Sequence, residues 1–171
     1  MSKFQDILQG GDLRSIGKAN EIVALVKSQA DFDDLFIGLT NADRKVVMRT
    51  ADAIEKISIR NPDLLKKHKT KLLYFCETAR NIELKWHLAL IISRLRLTEK
   101  ELGNVWQTLT KWATDKKESK IVRVNSIQGL SNLLKQKPEL MQDFNLMLIE
   151  IEKDRIPSIN ARIKKLTNAS R

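Results

Sequence analysis

The chain has 171 residues, 42% hydrophobic and 30% charged, which supplies a core for one well-solvated domain. Its net charge of +10 favours acidic partners (nucleic acid, an anionic surface or an acidic protein face) but specifies no chemistry. One cysteine excludes an internal disulfide, and apolar runs such as Leu88–Ile92 fall far short of the ~18 residues a membrane span needs. The opening Met1–Asp6 has no apolar stretch of signal-peptide length, and a cytoplasmic location is expected.

Apolar spacing predicts helices throughout, and no alternation is long enough for a strand. Phe4, Ile7 and Leu8 suit a short leading helix before the Gly10-Gly11 break. A shorter hairpin is expected over 12–40, with Ala19, Ile22 and Leu25 on its first helix and Phe32, Leu35, Phe36 and Leu39 on its second. The next spans 41–79: Val47, Ala51, Ile54 and Ile57 form one stripe, Arg60–Asp63 a break, and Leu64–Thr78 the second helix. In 80–115 the stripe is Leu84, Leu88, Ile91 or Ile92, and Leu95, the break Leu97–Lys100 and the second helix Leu102–Thr114. In 116–154 the stripe is Val122, Ile127, Leu130 and Leu133, the break Lys135–Glu139 and the second helix Leu140–Glu152. Asn61 and Thr98 are candidate N-caps, and Pro62 and Pro138 suit a first helical position. A terminal helix over 155–168 follows, with Ile163 and Leu166 inward and Arg155, Arg162, Lys164 and Lys165 on its wet side.

These hairpins share a register. Ile57, Leu95 and Leu133 lie 38 residues apart, as do Ile54, Ile92 and Leu130, and Leu64, Leu102 and Leu140. Ala51, Ala89 and Ile127 keep the same step. A gapless period of this length marks a stacked array, because one hairpin cannot bury both faces of both helices. The expected fold is all-α: a single-domain α-α superhelix over 1–171, a short right-handed solenoid of about four hairpins with end caps.

The stretch Asp43-Arg44-Lys45-Val46-Val47-Met48-Arg49-Thr50-Ala51 resembles the opening of a HEAT first helix: a polar lead-in, then Val, Arg and a small residue where helices cross. Lys120–Arg123 and Ser158–Arg162 are weaker echoes, and Glu83-Leu84-Lys85-Trp86 departs from the pattern. The resemblance covers roughly residues 12–166. It implies a binding scaffold, usually for proteins, with second helices lining the concave face. A minority of HEAT-like proteins bind nucleic acid, including bacterial alkylpurine DNA glycosylases, which place aromatic side chains and an Asp near an extruded base. Trp86, Trp106, Trp112 and Asp115 are similar in kind, but no local match to that catalytic motif occurs, and an aromatic core is the leading reading.

Other chemistry finds little support. His68 shares a repeat position with Trp106 and Phe144 and reads as a packing slot. His87 shares one with Arg49 and Asn125 and reads as a surface position. Neither His has ligands at zinc spacing, so no metal or other cofactor is expected. Cys76, within Leu72–Cys76, reads as a small buried hydrophobe. Nucleotide-loop, hydrolase-elbow and zinc-protease motifs are absent from the sequence, and no catalytic residue is nominated.

The cations remain. Net charge by segment is −2, +4, +2, +1 and +5 for residues 1–40, 41–79, 80–115, 116–154 and 155–171. Arg60, Arg94, Arg96, Lys135 and Lys137 fall at the turns between first and second helices, which line one edge of a stacked array. Lys66, Lys67, Lys69 and Lys71 cluster on one second helix, and Lys116, Lys117, Lys120 and Arg123 sit at the opposite edge. An ordinary solvated basic surface is the plain alternative. The leading functional reading is a non-catalytic scaffold docking an acidic protein on its concave second-helix face or along the Arg60–Lys137 turn edge. A nucleic-acid-binding HEAT protein related to alkylation repair is second, and an assembly partner using an apolar groove at one end of the array is third.

Overall fold

The computed structural model describes residues 3–9 and 17–169, and all regular structure within them is helical. The Gly10-Gly11 break and the start of the 12–40 hairpin lie outside the described residues. The chain divides into two compact units, Met1–His68 and Lys69–Arg171. The division falls inside the 41–79 segment.

The first unit contains α1 (Gln5–Leu8), α2 (Gly17–Leu25), α3 (Gln29–Phe36), a 3-10 turn at Ile37–Thr40, α4 (Arg44–Arg60) and a 3-10 segment, Pro62–His68. Ser28 and Asp31 form a reciprocal capping box that starts α3. The polar lead-in of the HEAT-like stretch serves as a helix cap. Its Asp43 starts α4 by accepting from the Lys45 N–H at 2.8 Å. α4 packs on α2 and α3, and its Ala51, Ile54 and Ile57 are all buried. Phe4 and Leu8 are also buried, and the buried Arg49 donates from Nη1 to the Leu8 carbonyl at 2.6 Å, fixing the leader to α4.

The second unit contains α5 (Lys69–Thr78), α6 (Ile82–Ile92), α7 (Glu99–Thr114), α8 (Lys120–Leu133), a 3-10 turn at Pro138–Leu140, α9 (Met141–Glu152) and α10 (Pro157–Ala169). α8 lies against α6 and α7, and α10 against α8 and α9. Ile92, Leu95, Leu130 and Leu133 are all buried, and burying each such side chain contributes about 1.5–3 kcal/mol. Thr98 with Glu101 makes the second capping box. Asn61 does not act as the expected side-chain N-cap. It ends α4 with a backbone N–H to the Ile57 carbonyl, because Pro62 opens a 3-10 segment instead of an α-helix.

α8 crosses α6 with no side chain between them at Gly129. An added Cβ there would press into the Ala89 carbonyl oxygen and stand 3.0 Å from Leu109 Cδ1. Replacing Gly129 with Ala should gain about 1 kcal/mol of helix propensity but lose about 1–3 kcal/mol to overpacking. The expected outcome for Gly129→Ala is a lower thermal midpoint, read by circular dichroism. An unchanged or raised midpoint would show that the crossing can open without cost.

Candidate functional site

Two neighbouring turns of the second unit form a polar groove in the expected region. The α6–α7 turn begins at Ser93 and ends at the α7 cap, Thr98. The α8–α9 turn covers Leu134–Lys137. Gln136 holds them together. Its Nε2 donates to the Leu95 carbonyl at 2.8 Å, and its Oε1 accepts from the Leu97 N–H at 3.1 Å. Asn132 Nδ2 donates to Ser93 Oγ at 3.0 Å, and Lys137 pairs with Glu99. The ion pair with Lys137 holds the Glu99 carboxyl below its usual range, and the same contact raises Lys137.

Between these turns lies a groove of about 570 Å³ whose wall includes Arg96, Lys135, Lys137, Glu99 and Glu139. Arg96 and Lys135 are exposed. With Lys137 and Glu99 neutralising each other, two cations face one carboxylate.

Three of the nine nominated cations therefore meet in one place, and the others do not join them. In the first unit, Arg60 is exposed at the end of α4, Lys66 pairs with Asp63 at 2.9 Å, and Lys67 pairs with Asp33 at 2.5 Å. In the second unit, Lys69 pairs with Glu101 at 2.8 Å, Lys71 is exposed and Arg94 is half-buried, all outside the groove wall.

The proposed cation row at the opposite edge is corrected more sharply. Arg123 is buried, donating from Nε to the Ala113 carbonyl at 2.9 Å and from Nη2 to Asp154 at 2.6 Å. Lys116 reaches the other Asp154 oxygen at 2.8 Å. These two cations hold the Asp154 carboxyl below its ordinary value. Arg123 is buried because its guanidinium satisfies a helix-end carbonyl and a carboxylate together, the arrangement that makes a buried charge tolerable.

Of the three tryptophans expected in an aromatic core, Trp112 is buried and Trp86 and Trp106 are half-buried. Trp112 is buried beneath Lys85, whose Nζ lies 5.5 Å from the ring centroid and 2.5 Å from Glu118. Trp106 makes an edge contact with Phe144 at 6.3 Å, and Trp86 one with His87 at 5.4 Å. Asp115 ends α7 and accepts from the Lys117 N–H. His68 stacks on Phe36 at 3.9 Å with Nε2 2.7 Å from Asp33, as its packing slot implies. His87 contradicts the surface position expected for it. His87 and Arg49 are buried and Asn125 half-buried, and Arg49 and Asn125 donate to main-chain carbonyls (Leu8 and Trp86) where helices meet. Cys76 is buried, and burial pushes its thiol up to about 12, far from a nucleophile's range. Among the described residues, no group of three His, Cys, Asp or Glu is placed to hold a metal ion. No described helix is long and apolar enough to cross a membrane.

A family profile described as the HEAT repeat domain matches residues 12–170. The chain belongs to the HEAT-repeat family. HEAT domains are helical-repeat scaffolds for protein–protein interaction and are typically non-catalytic. No curated protein and no solved structure matches this chain.

Gln136 was missed because nothing local marks a side chain that reaches back 39 and 41 residues. A signal for the ion pairs did exist. Lys67 and Asp33, Lys69 and Glu101, Lys85 and Glu118, Arg123 and Asp154, and Lys137 and Glu99 are opposite charges separated by about one repeat.

In this HEAT protein, Asp33 has its pKa lowered to about 2, first by the hydrogen bond from Lys67 and then by those from Gln29 and His68. A carboxylate with a depressed folded pKa stabilises above its unfolded value, 3.8, and that contribution is lost as pH falls toward 2. Asp33→Asn should therefore lower the thermal midpoint at pH 7, and its difference from wild type should close between pH 4 and 2. A difference that stays constant across that window would refute the assignment.

Proposed function

We propose that this HEAT-repeat protein is a non-catalytic scaffold that docks an acidic protein surface along the turn edge of residues 69–171. The observation supporting this reading is the groove walled by Arg96, Lys135 and Lys137, held open by the Gln136 bridge. Its two exposed cations offer charge without an ion pair of their own among the described residues, while Glu99 and Glu139 set a mixed pattern. A wall in which carboxylates interrupt the cations offers no continuous line of positive charge for a phosphate backbone to follow. Lys66, Lys67 and Lys69 are already opposed by carboxylates, which lowers the density of cations open to phosphate. Lys71, in the same unit as the groove, is a further exposed cation.

Rim charges act mainly on association rate and salt dependence. The test is anisotropy binding of labelled Asp/Glu-rich peptides and labelled duplex DNA across a salt series. An acidic peptide should bind, and the double variant Arg96→Glu/Lys135→Glu should weaken it by about tenfold, equivalent to about 1.4 kcal/mol. Submicromolar duplex binding with a steep salt slope, unaffected by that variant, would instead establish the nucleic-acid reading and overturn this one.

A further inference from the structure

The turn-edge groove of residues 69–171 carries more information than its charge. Its volume, about 570 Å³, lies within the ~300–1,000 Å³ usual for ligand clefts. A space of that size seats a short stretch of chain more readily than the broad face of a folded domain.

The main chain of the two turns has little left to offer a ligand. The Leu95 carbonyl and the Leu97 N–H are taken by Gln136. The Thr98 N–H donates to Glu101, and the Thr98 hydroxyl accepts from the Glu101 N–H. On the other turn, the N–H groups of Lys135, Gln136 and Lys137 donate to the carbonyls of Asn132 and Leu133. An added strand finds few donors along these edges. The start of α7 already holds two carboxylates of its own, Glu99 and Glu101, in place of a bound anion. Recognition in this groove is left to side chains.

Those side chains are of two kinds. The cations come from both turns: Arg96 from one, Lys135 and Lys137 from the other, with Lys137 engaged by Glu99. The wall also includes Leu97, which is half-buried, and Leu102, which is 4% exposed. The leucines give the groove an apolar share beside its charge. Glu139, exposed on the same wall, opposes a ligand that is acidic at every position.

We infer that the occupant of this groove is a short linear segment of a partner protein in which an apolar residue is flanked by carboxylates. The apolar side chain rests against Leu97 and Leu102, and the carboxylates meet Arg96 and Lys135. This rests on the acidic-docking reading above and adds what the partner must carry besides charge. The charges set encounter rate and salt dependence, whereas the apolar contact adds affinity that salt does not screen. Arg96 brings a planar fork of donors that matches a carboxylate.

The test is anisotropy binding of fluorescein-labelled peptides with a Glu-Glu-Leu-Glu-Glu core, the same core with Ser for Leu, and the same core with Lys for Glu. The full chain should bind the Leu core about tenfold more tightly than the Ser core, the order expected for burying part of one leucine side chain. Leu97→Ser should abolish that preference, weakening the Leu core about tenfold and leaving the Ser core unchanged, with an unchanged circular dichroism spectrum. The Leu97 N–H that Gln136 holds belongs to the main chain and is kept in this variant. Equal binding of the Leu and Ser cores would overturn the inference and leave acidic docking standing. A Leu preference that Leu97→Ser does not alter would overturn it too, since the apolar residue then rests elsewhere. If neither acidic core binds, or the Lys core binds as well as they do, acidic docking falls and this inference falls with it. Comparing the peptides on the unaltered protein keeps the test decisive even where Leu97→Ser perturbs the fold.

Discussion

The second unit is organised by how closely α8 can approach α6. Gly129 lets the Ala89 carbonyl rest where a side chain would otherwise stand, and that contact sets the spacing between successive first helices. The buried column of Ile92, Leu95, Leu130 and Leu133 fills the remaining space. The turns that follow α6 and α8 inherit that spacing. Only at that distance does one glutamine, Gln136, reach both Leu95 and Leu97 across the gap. The polar groove is thus a by-product of core geometry: apolar packing fixes the helices, and the helices fix where Arg96, Lys135 and Lys137 emerge.

Charge is used twice in this protein. Several of its cations are tied to carboxylates roughly one repeat away, and those pairs stitch neighbouring hairpins at their wet edges. Exposed pairs of this type are worth little singly, about 0–1 kcal/mol, but they remove cations from the surface available to a partner. Arg123 differs because it is buried, bonded to a main-chain carbonyl as well as to Asp154. Its service is to fix α8 against the end of α7 and the α9–α10 connection. What remains for recognition includes exposed cations both at the turns, such as Arg96 and Lys135, and within the helices, such as Lys71 and Lys111.

The fold was legible because burial in a stacked array is periodic twice over, every 3.6 residues within a helix and every 38 along the chain. Ile57, Leu95 and Leu133 satisfy both periods, and all are buried. The 3-10 segments at Pro62 and Pro138 were less legible, since proline marks a start without specifying the helix type. The site was legible only in part. Turn position predicted that Arg96, Lys135 and Lys137 would share an edge, and they share a groove. Residue type alone could not tell that Lys67 is engaged by Asp33 while Lys71 is exposed, or that Arg123 and His87 are interior, because those outcomes depend on partners far away in sequence.

The sealed Cys76 gives this molecule a built-in clock. It is the chain's one cysteine, it sits inside α5, and its thiol stays protonated at neutral pH. With the side chain 2% exposed, a thiol reagent added to the native protein reaches it faster as the packing of α5 on α6 and α7 loosens. The rate of that modification reports the breathing of a single helix, without any engineered label, and whatever steadies or loosens α5 will be written in it.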